Sequence, residues 1–115
     1  MIGNPGGSNH GTMTNNGLFE NRVPIPFVFR NESGGTFINN NTLVNINGSL
    51  TENYGDFENA GNGTVRTVGT VDNYGTMTNN GTFTAPNGGY LNNKTGGTLF
   101  NNNNVTNLQI ITNDG

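Results

Sequence analysis

GTVDNYGTMTNNGTFT, residues 69–84, reads as three successive copies of one six-residue phrase, Gly-Thr-hydrophobic-x-Asn-x, the last copy looser than the others. Worked outward, the phrase returns as GTMTNN at 11–16, GTFINN at 35–40 and GTLFNN at 97–102, with degenerate copies at NTLVNI from Asn41, GDFENA from Gly55 and GTFTAP from Gly81. Self-similarity at a short period marks stacked units, none of which can bury its own apolar residue until a neighbour covers it. The expectation is an all-β, single-domain parallel β-solenoid over 1–115.

The apolar anchors of the phrase are Met13, Phe19, Phe37, Leu43, Leu50, Phe57, Val65, Val71, Met77, Phe83, Tyr90, Leu99, Val105 and Ile111. Most gaps are six residues and others run from seven to nine. The gap of eighteen after Phe19 is three sixes. Polar residues flank the anchors, as in Thr-Met-Thr and Asp-Phe-Glu, which is the alternation of a short strand with one face inside. Asn and Gly follow and turn the chain, since both tolerate left-handed backbone.

Two residues past the anchor stands Asn15, Asn39, Asn45, Asn59, Asn73, Asn79, Asn101, Asn107 or Asn113. A spacing of two returns the side chain to the anchor's face. Two readings follow: a column of stacked amides whose donors and acceptors satisfy one another from coil to coil, or a turn residue at each corner. Both put Asn at corners.

With 30% hydrophobic residues and 19 Gly in 115, the chain suits a thin, one-dimensional core rather than a thick layered one. Asn, Gly and Thr all disfavour helix, and the regular anchors argue against disorder. Without Cys there is neither a disulfide framework nor a thiolate metal site. Four basic residues against seven acidic ones exclude the electrostatic footprint of nucleic-acid or anionic-lipid binding. No stretch approaches the roughly 20 apolar residues of a membrane span, and no targeting segment opens the chain. The expected setting is extracellular, secreted or at a cell surface.

LFENRVPIPFVFRNES, residues 18–33, breaks the phrase and reads as a non-repeat apolar insertion. Pro24 and Pro26 remove backbone donors, which suits an edge strand. Its residues Val23, Ile25, Phe27 and Phe29 form either a lateral contact with another subunit or a flap over an open solenoid end, and the first reading is preferred because a solenoid needs capping. The uncharged run Val105–Thr112, with Leu108 and Ile110, is a template for pairing with another chain. Non-closing pairing of this kind produces filaments.

Acceptor triplets for N-glycosylation begin at Asn31, Asn40, Asn47, Asn62, Asn80, Asn93 and Asn104. All but Asn31, which lies in the insertion, stand an odd number of residues from the nearest anchor and so point outward.

Catalytic readings are weak. Asp56 and Glu58 flank Phe57 and face outward together, whereas general acid catalysis wants a desolvated carboxyl. His10 lies in a Gly-rich leader with no carboxylate or Ser constellation around it. Calcium at Asp56, Glu58 and Asp72 lacks a recognisable ligand spacing, and Asn87-Gly-Gly lacks the strand-to-helix context of a phosphate loop. No enzyme, no cofactor and no metal site is expected.

The repeated GTMTNNG, and NYGTMTNNGTF from Tyr74, resemble the glycine- and asparagine-rich repeats of secreted bacterial surface adhesins of the filamentous-haemagglutinin type, over most of residues 11–114. The resemblance implies a right-handed parallel β-helix used for adhesion, with no catalytic residues to carry over. The chain is shorter than those fibres and has no recognisable secretion or anchoring domain, so assembly of many copies is expected. The function expected is therefore that of a non-enzymatic extracellular structural protein, the subunit of a self-assembling surface filament or matrix fibre with an adhesive role. Its partners are copies of itself, with glycans as a second class, and neither nucleic acid nor a membrane. Two alternatives stand beside it: an ice-binding protein using the Thr-x-Thr pairs Thr12/Thr14, Thr76/Thr78 and Thr82/Thr84, and a carbohydrate-binding or carbohydrate-active β-helix.

Overall fold

A computed structural model describes residues 7–22, 28–46, 48–86, 88–106 and 110–114. Each six-residue phrase forms one strand and one corner, and three strands make a rung, so the anchors six apart sit on successive sides of a triangle rather than above one another. The first side holds β1 (Gly7–Asn9), β4 (Val28–Asn31), β7 (Leu50–Asn53), β10 (Thr70–Asn73), β13 (Tyr90–Asn93) and β16 (Ile110–Asn113), in that order. The second holds β2 (Thr12–Asn15), β5 (Thr36–Asn39), β8 (Asp56–Asn59), β11 (Thr76–Asn79) and β14 (Thr98–Asn101). The third holds β3 (Leu18–Asn21), β6 (Thr42–Asn45), β9 (Thr64–Thr67), β12 (Thr82–Thr84) and β15 (Asn104–Thr106). All pairs are parallel, with Thr12 over Thr36, Thr36 over Asp56 and Thr76 over Thr98. The resulting prism measures 28 × 27 × 26 Å. The expected β-solenoid is thus the observed fold, and no helix among the described residues is long and apolar enough to cross a membrane.

The core is one stack inside the prism, with anchors sent inward from all three of its sides. Phe19, Phe29, Phe37 and Phe57 pack ring against ring near one end, Phe37 and Phe57 stacked at 5.2 Å. Leu43, Val65, Val71, Met77, Phe83 and Leu91 continue the stack.

Two anchors and one insertion residue change places. Leu50 and Tyr90 point outward, Tyr90 being 38% exposed, and their neighbours Thr51 and Leu91 fill the interior. The reason is the inward Asn two positions on: Asn53 and Asn93 fix Thr51 and Leu91 as their same-face partners. The Thr51 hydroxyl is satisfied inside, donating to Asn45 Oδ1 at 3.2 Å and accepting from Asn21 Nδ2 at 3.0 Å. Phe29, expected in a docking surface, is a core residue 4% exposed. With these corrections every described anchor gap is six, eight or, once, ten residues, so strand parity survives every corner. The insertion also narrows, because Leu18–Asn21 and Val28–Asn31 are ordinary strands of the stack.

Gaps of six and eight correspond to two corners. The short corner has two residues. The long one has four and closes on itself, as when Gly35 N–H donates to Glu32 O at 2.8 Å and Gly97 N–H to Lys94 O at 2.8 Å. Its third residue is left-handed, with Gly34 at φ 84° and Gly96 at 87°, where a Cβ would be strained.

Candidate functional site

The Asn residues form columns inside the prism, at the corners. Along the first side, Asn9, Asn31, Asn53, Asn73, Asn93 and Asn113 are linked in sequence, each Nδ2 donating to the next Oδ1 at 2.8 Å. Along the second, Asn15, Asn39, Asn59, Asn79 and Asn101 do the same at 2.8–2.9 Å. The third column runs from Asn21 to Asn45 and passes to the Thr67 hydroxyl. The amides also hold the corners, as Asn53 does through Gly55 O of its own corner at 3.0 Å and Thr76 O of the next rung at 2.9 Å. The two readings of these residues are therefore both realised: the Asn shapes the turn and carries a buried ladder. Asn107 lies outside the described residues.

Direction matters in these columns. Side-chain amides donate from an earlier rung to a later one. Backbone N–H groups at the corners run the other way, a later rung donating to an earlier one, as in Thr36 to Gly11 O, Asp56 to Gly35 O and Thr98 to Gly75 O; Ala85 N–H to Thr106 O is the exception. The stack is polar from end to end.

The outer surface of the first side carries the main charged cluster. Arg30 Nε and Nη2 both donate to Glu52 Oε1, at 3.1 and 2.7 Å. Asp72 lies on the next rung in register with Glu52, accepting from Asn92 Nδ2 at 2.8 Å, with Lys94 Nζ at 3.9 Å. On the adjoining corner Tyr54 and Tyr74 stack at 4.6 Å with 2° between planes, and Arg30 lies 5.5 Å from the Tyr54 centroid. The hydrogen bond to Glu52 keeps the Arg30 guanidinium above its ordinary value. Burial, and then the Glu52 charge, raise the Tyr54 phenol above its ordinary 10.0. These groups satisfy one another across rungs and leave neither Tyr54 face open to a ligand.

An open notch of about 200 Å³ lies where the short corner Val68–Gly69 is recessed between longer ones, lined by Gly48, Ser49, Thr70, Gly88 and Tyr90. No charged side chain lines it.

The candidate residues separate cleanly. Asp56 and Glu58 lie on the second side and Asp72 on the first, and among the described residues no three His, Cys, Asp or Glu converge on a metal site. His10 is exposed at a short corner. Of the acceptor triplets, Asn40, Asn62 and Asn104 are exposed and Asn80 is half-buried. Asn31 and Asn93 are ladder residues, 1% and 3% exposed, so the outward expectation for Asn93 is corrected: counting from Tyr90 rather than Leu91 inverted its face. Asn47 lies outside the described residues, as do Val23, Ile25, Phe27 and Leu108; Ile110 belongs to β16, and its side chain is not among those described. The Thr-x-Thr pairs do not form a continuous array, for Thr12/Thr14 and Thr76/Thr78 are separated on their side by Thr36/Ile38 and Asp56/Glu58, and Thr82/Thr84 lies on another side.

The two end rungs are the surfaces that sequence reasoning located least well. At one end Met13 is only partly buried, and at the other Leu99 and Val105 are, although their equivalents in the middle are fully enclosed. Asn101 is exposed where Asn79 beneath it is 1% exposed. The core and the first two amide columns thus run the length of the described stack. Comparison with known proteins returns no match: no family model, no curated protein and no solved structure.

Proposed function

We propose that this chain is a non-enzymatic structural protein, the subunit of a self-assembling extracellular filament or matrix fibre. The observation that carries the reading is the pair of open end rungs, which present partly buried core residues and amide columns at both ends of a polar stack. Covering Met13, Leu99 and Val105 removes apolar area from water, each Å² worth about 25 cal/mol, and a contact of that kind repeated without closure generates a fibre. The self-satisfied outer faces support the same reading, since they offer interlocked rung-to-rung contacts in place of a reactive constellation. The exposed acceptors Asn40, Asn62 and Asn104 would carry glycans on the fibre's flank.

Electron microscopy and light scattering across a concentration series test the proposal. Fibres, with scattering mass rising with concentration, are expected. A chain that stays monomeric at the highest concentration overturns it and brings a soluble binding module forward.

A further inference from the structure

Resting on that reading, we infer that copies of the chain stack head to tail in register, with β2 of one copy pairing β14 of the next and β3 pairing β15, so that the incoming β1 takes on β13 the place that β16, the sixth strand of the first side, holds in the single chain. Three observations point to this arrangement.

The first is polarity. At the corners the last rung presents amide donors and backbone carbonyls, and the first rung presents Asn9 and Asn15 Oδ1 with backbone N–H groups, because the inner corners, Ala85 excepted, use those groups in those directions. Head to tail, donors meet acceptors in both sets. Head to head, N–H would face N–H and Oδ1 would face Oδ1, which leaves buried polar groups unpaired. The first rung also improvises: Gly11 and Gly17 N–H turn back to Asn9 and Asn15 Oδ1 at 3.3 and 3.2 Å, where inner corner glycines such as Gly75 reach the backbone carbonyl of the rung beneath at 2.9 Å.

The second is the glycine column Gly11, Gly35, Gly55, Gly75, Gly97. A Cβ on any of the last four would collide with backbone of the rung beneath, whereas at Gly11 nothing lies within 4 Å. Gly11 also has no positive φ to require glycine. It keeps the residue that a rung underneath would demand.

The third is sequence identity. Residues 11–16 and 75–80 are both GTMTNN, and the strand in the second copy, β11, is paired on both edges, with GTLFNN of β14 on one of them. Inside the molecule this hexapeptide is therefore covered, by β8, on the same edge that β2 would turn to β14. β2 also carries no Lys, Pro or other charge to blunt its edge.

The chain has no Cys, so paired cysteine variants test the register. Within one molecule β2 and β14 are four rungs apart, about 19 Å at strand spacing and well beyond the roughly 7 Å limit of a disulfide. Thr12→Cys mixed with Thr98→Cys and assembled before oxidation should give cross-linked dimers. Thr12→Cys mixed with Phe100→Cys, two residues out of register, should not, and neither should Thr12→Cys alone. Gly11→Ala should leave the monomer's thermal midpoint unchanged and slow elongation at least tenfold, while Gly61→Ala, on an open corner with nothing within 4 Å, should elongate normally. Fibres that cross-link only through Thr12→Cys alone or through Phe100→Cys, or not at all, or that form at the wild-type rate with Gly11→Ala, overturn the stacking register and leave the structural role standing. Absence of fibres under every condition overturns both.

Discussion

Asn53 shows how much one side chain does in this fold. Its amide accepts from Asn31, donates to Asn73 and holds two backbone carbonyls, and all three Asn are buried. Asn53→Ala removes these bonds and strands buried partners on both sides, at about 1–3 kcal/mol per unsatisfied group. A loss of about 2–4 kcal/mol is expected in urea unfolding, against about 0.5 kcal/mol or less for Asn102→Ala on the exposed outer surface. Equal effects at the two positions would show that the inner ladder is not what orders the corners. In the core, Phe57→Ala should cost about 3–5 kcal/mol, since Phe57 stacks on Phe37 with no second layer to close the gap. Tyr54 supplies a titration. Its phenol is held above the ordinary value by burial and by Glu52, so the contribution is present in full below pH about 10 and fades as pH rises through the raised folded value. Near-ultraviolet titration should find a late-ionising phenol that Tyr54→Phe removes, and a late limb unchanged in that variant would contradict this.

At the scale of strand and corner, the Gly-Thr step separates two uses of glycine. Gly55 has ordinary φ but no room, its would-be Cβ lying against the Gly35 carbonyl of the neighbouring rung. Gly96 has open space but φ 87°. Gly55→Ala should therefore push rungs apart and unfold the stack locally. Gly96→Ala should cost only about 1–2 kcal/mol of left-handed strain, and Gly96→Asn less, because Asn tolerates that region. Thermal unfolding of the three variants checks the order, and a Gly96→Ala cost equal to that of Gly55→Ala would remove the distinction. Corners also decide which triplets are reachable. In a secretory host that glycosylates Asn-x-Ser/Thr, mass spectrometry should find Asn62 and Asn40 modified and Asn31 and Asn93 unmodified. Occupancy at Asn93 would mean that the ladder opens before modification.

Over the whole molecule, residues meet their neighbours one rung away, 18 to 24 positions along the chain, as in Thr64 over Thr82 and Thr12 over Thr36. A stack of this kind draws its stability from neighbouring rungs, so the end rungs have half the support of the middle ones. Hydrogen exchange should accordingly be slowest in β8 and β11 and fastest in β2 and β14, and assembly should slow exchange at the ends selectively. The hexapeptide by itself determined the parallel β-solenoid, the inward placement of most anchors and the corner position of Asn, because strand alternation and turn chemistry are local and recur every few residues. It also contained the means to place Thr51, Leu91 and Phe29, since each stands two positions before an Asn of the ladder. Hydrophobicity alone favoured Leu50 and Tyr90. Only the tertiary structure decided that three phrases make one rung, that Asn31 and Asn93 are inside, and that two amide columns run with one polarity along the described stack. Those properties arise from residues about twenty positions apart being brought within hydrogen-bonding distance, and no local pattern specifies which of them will meet.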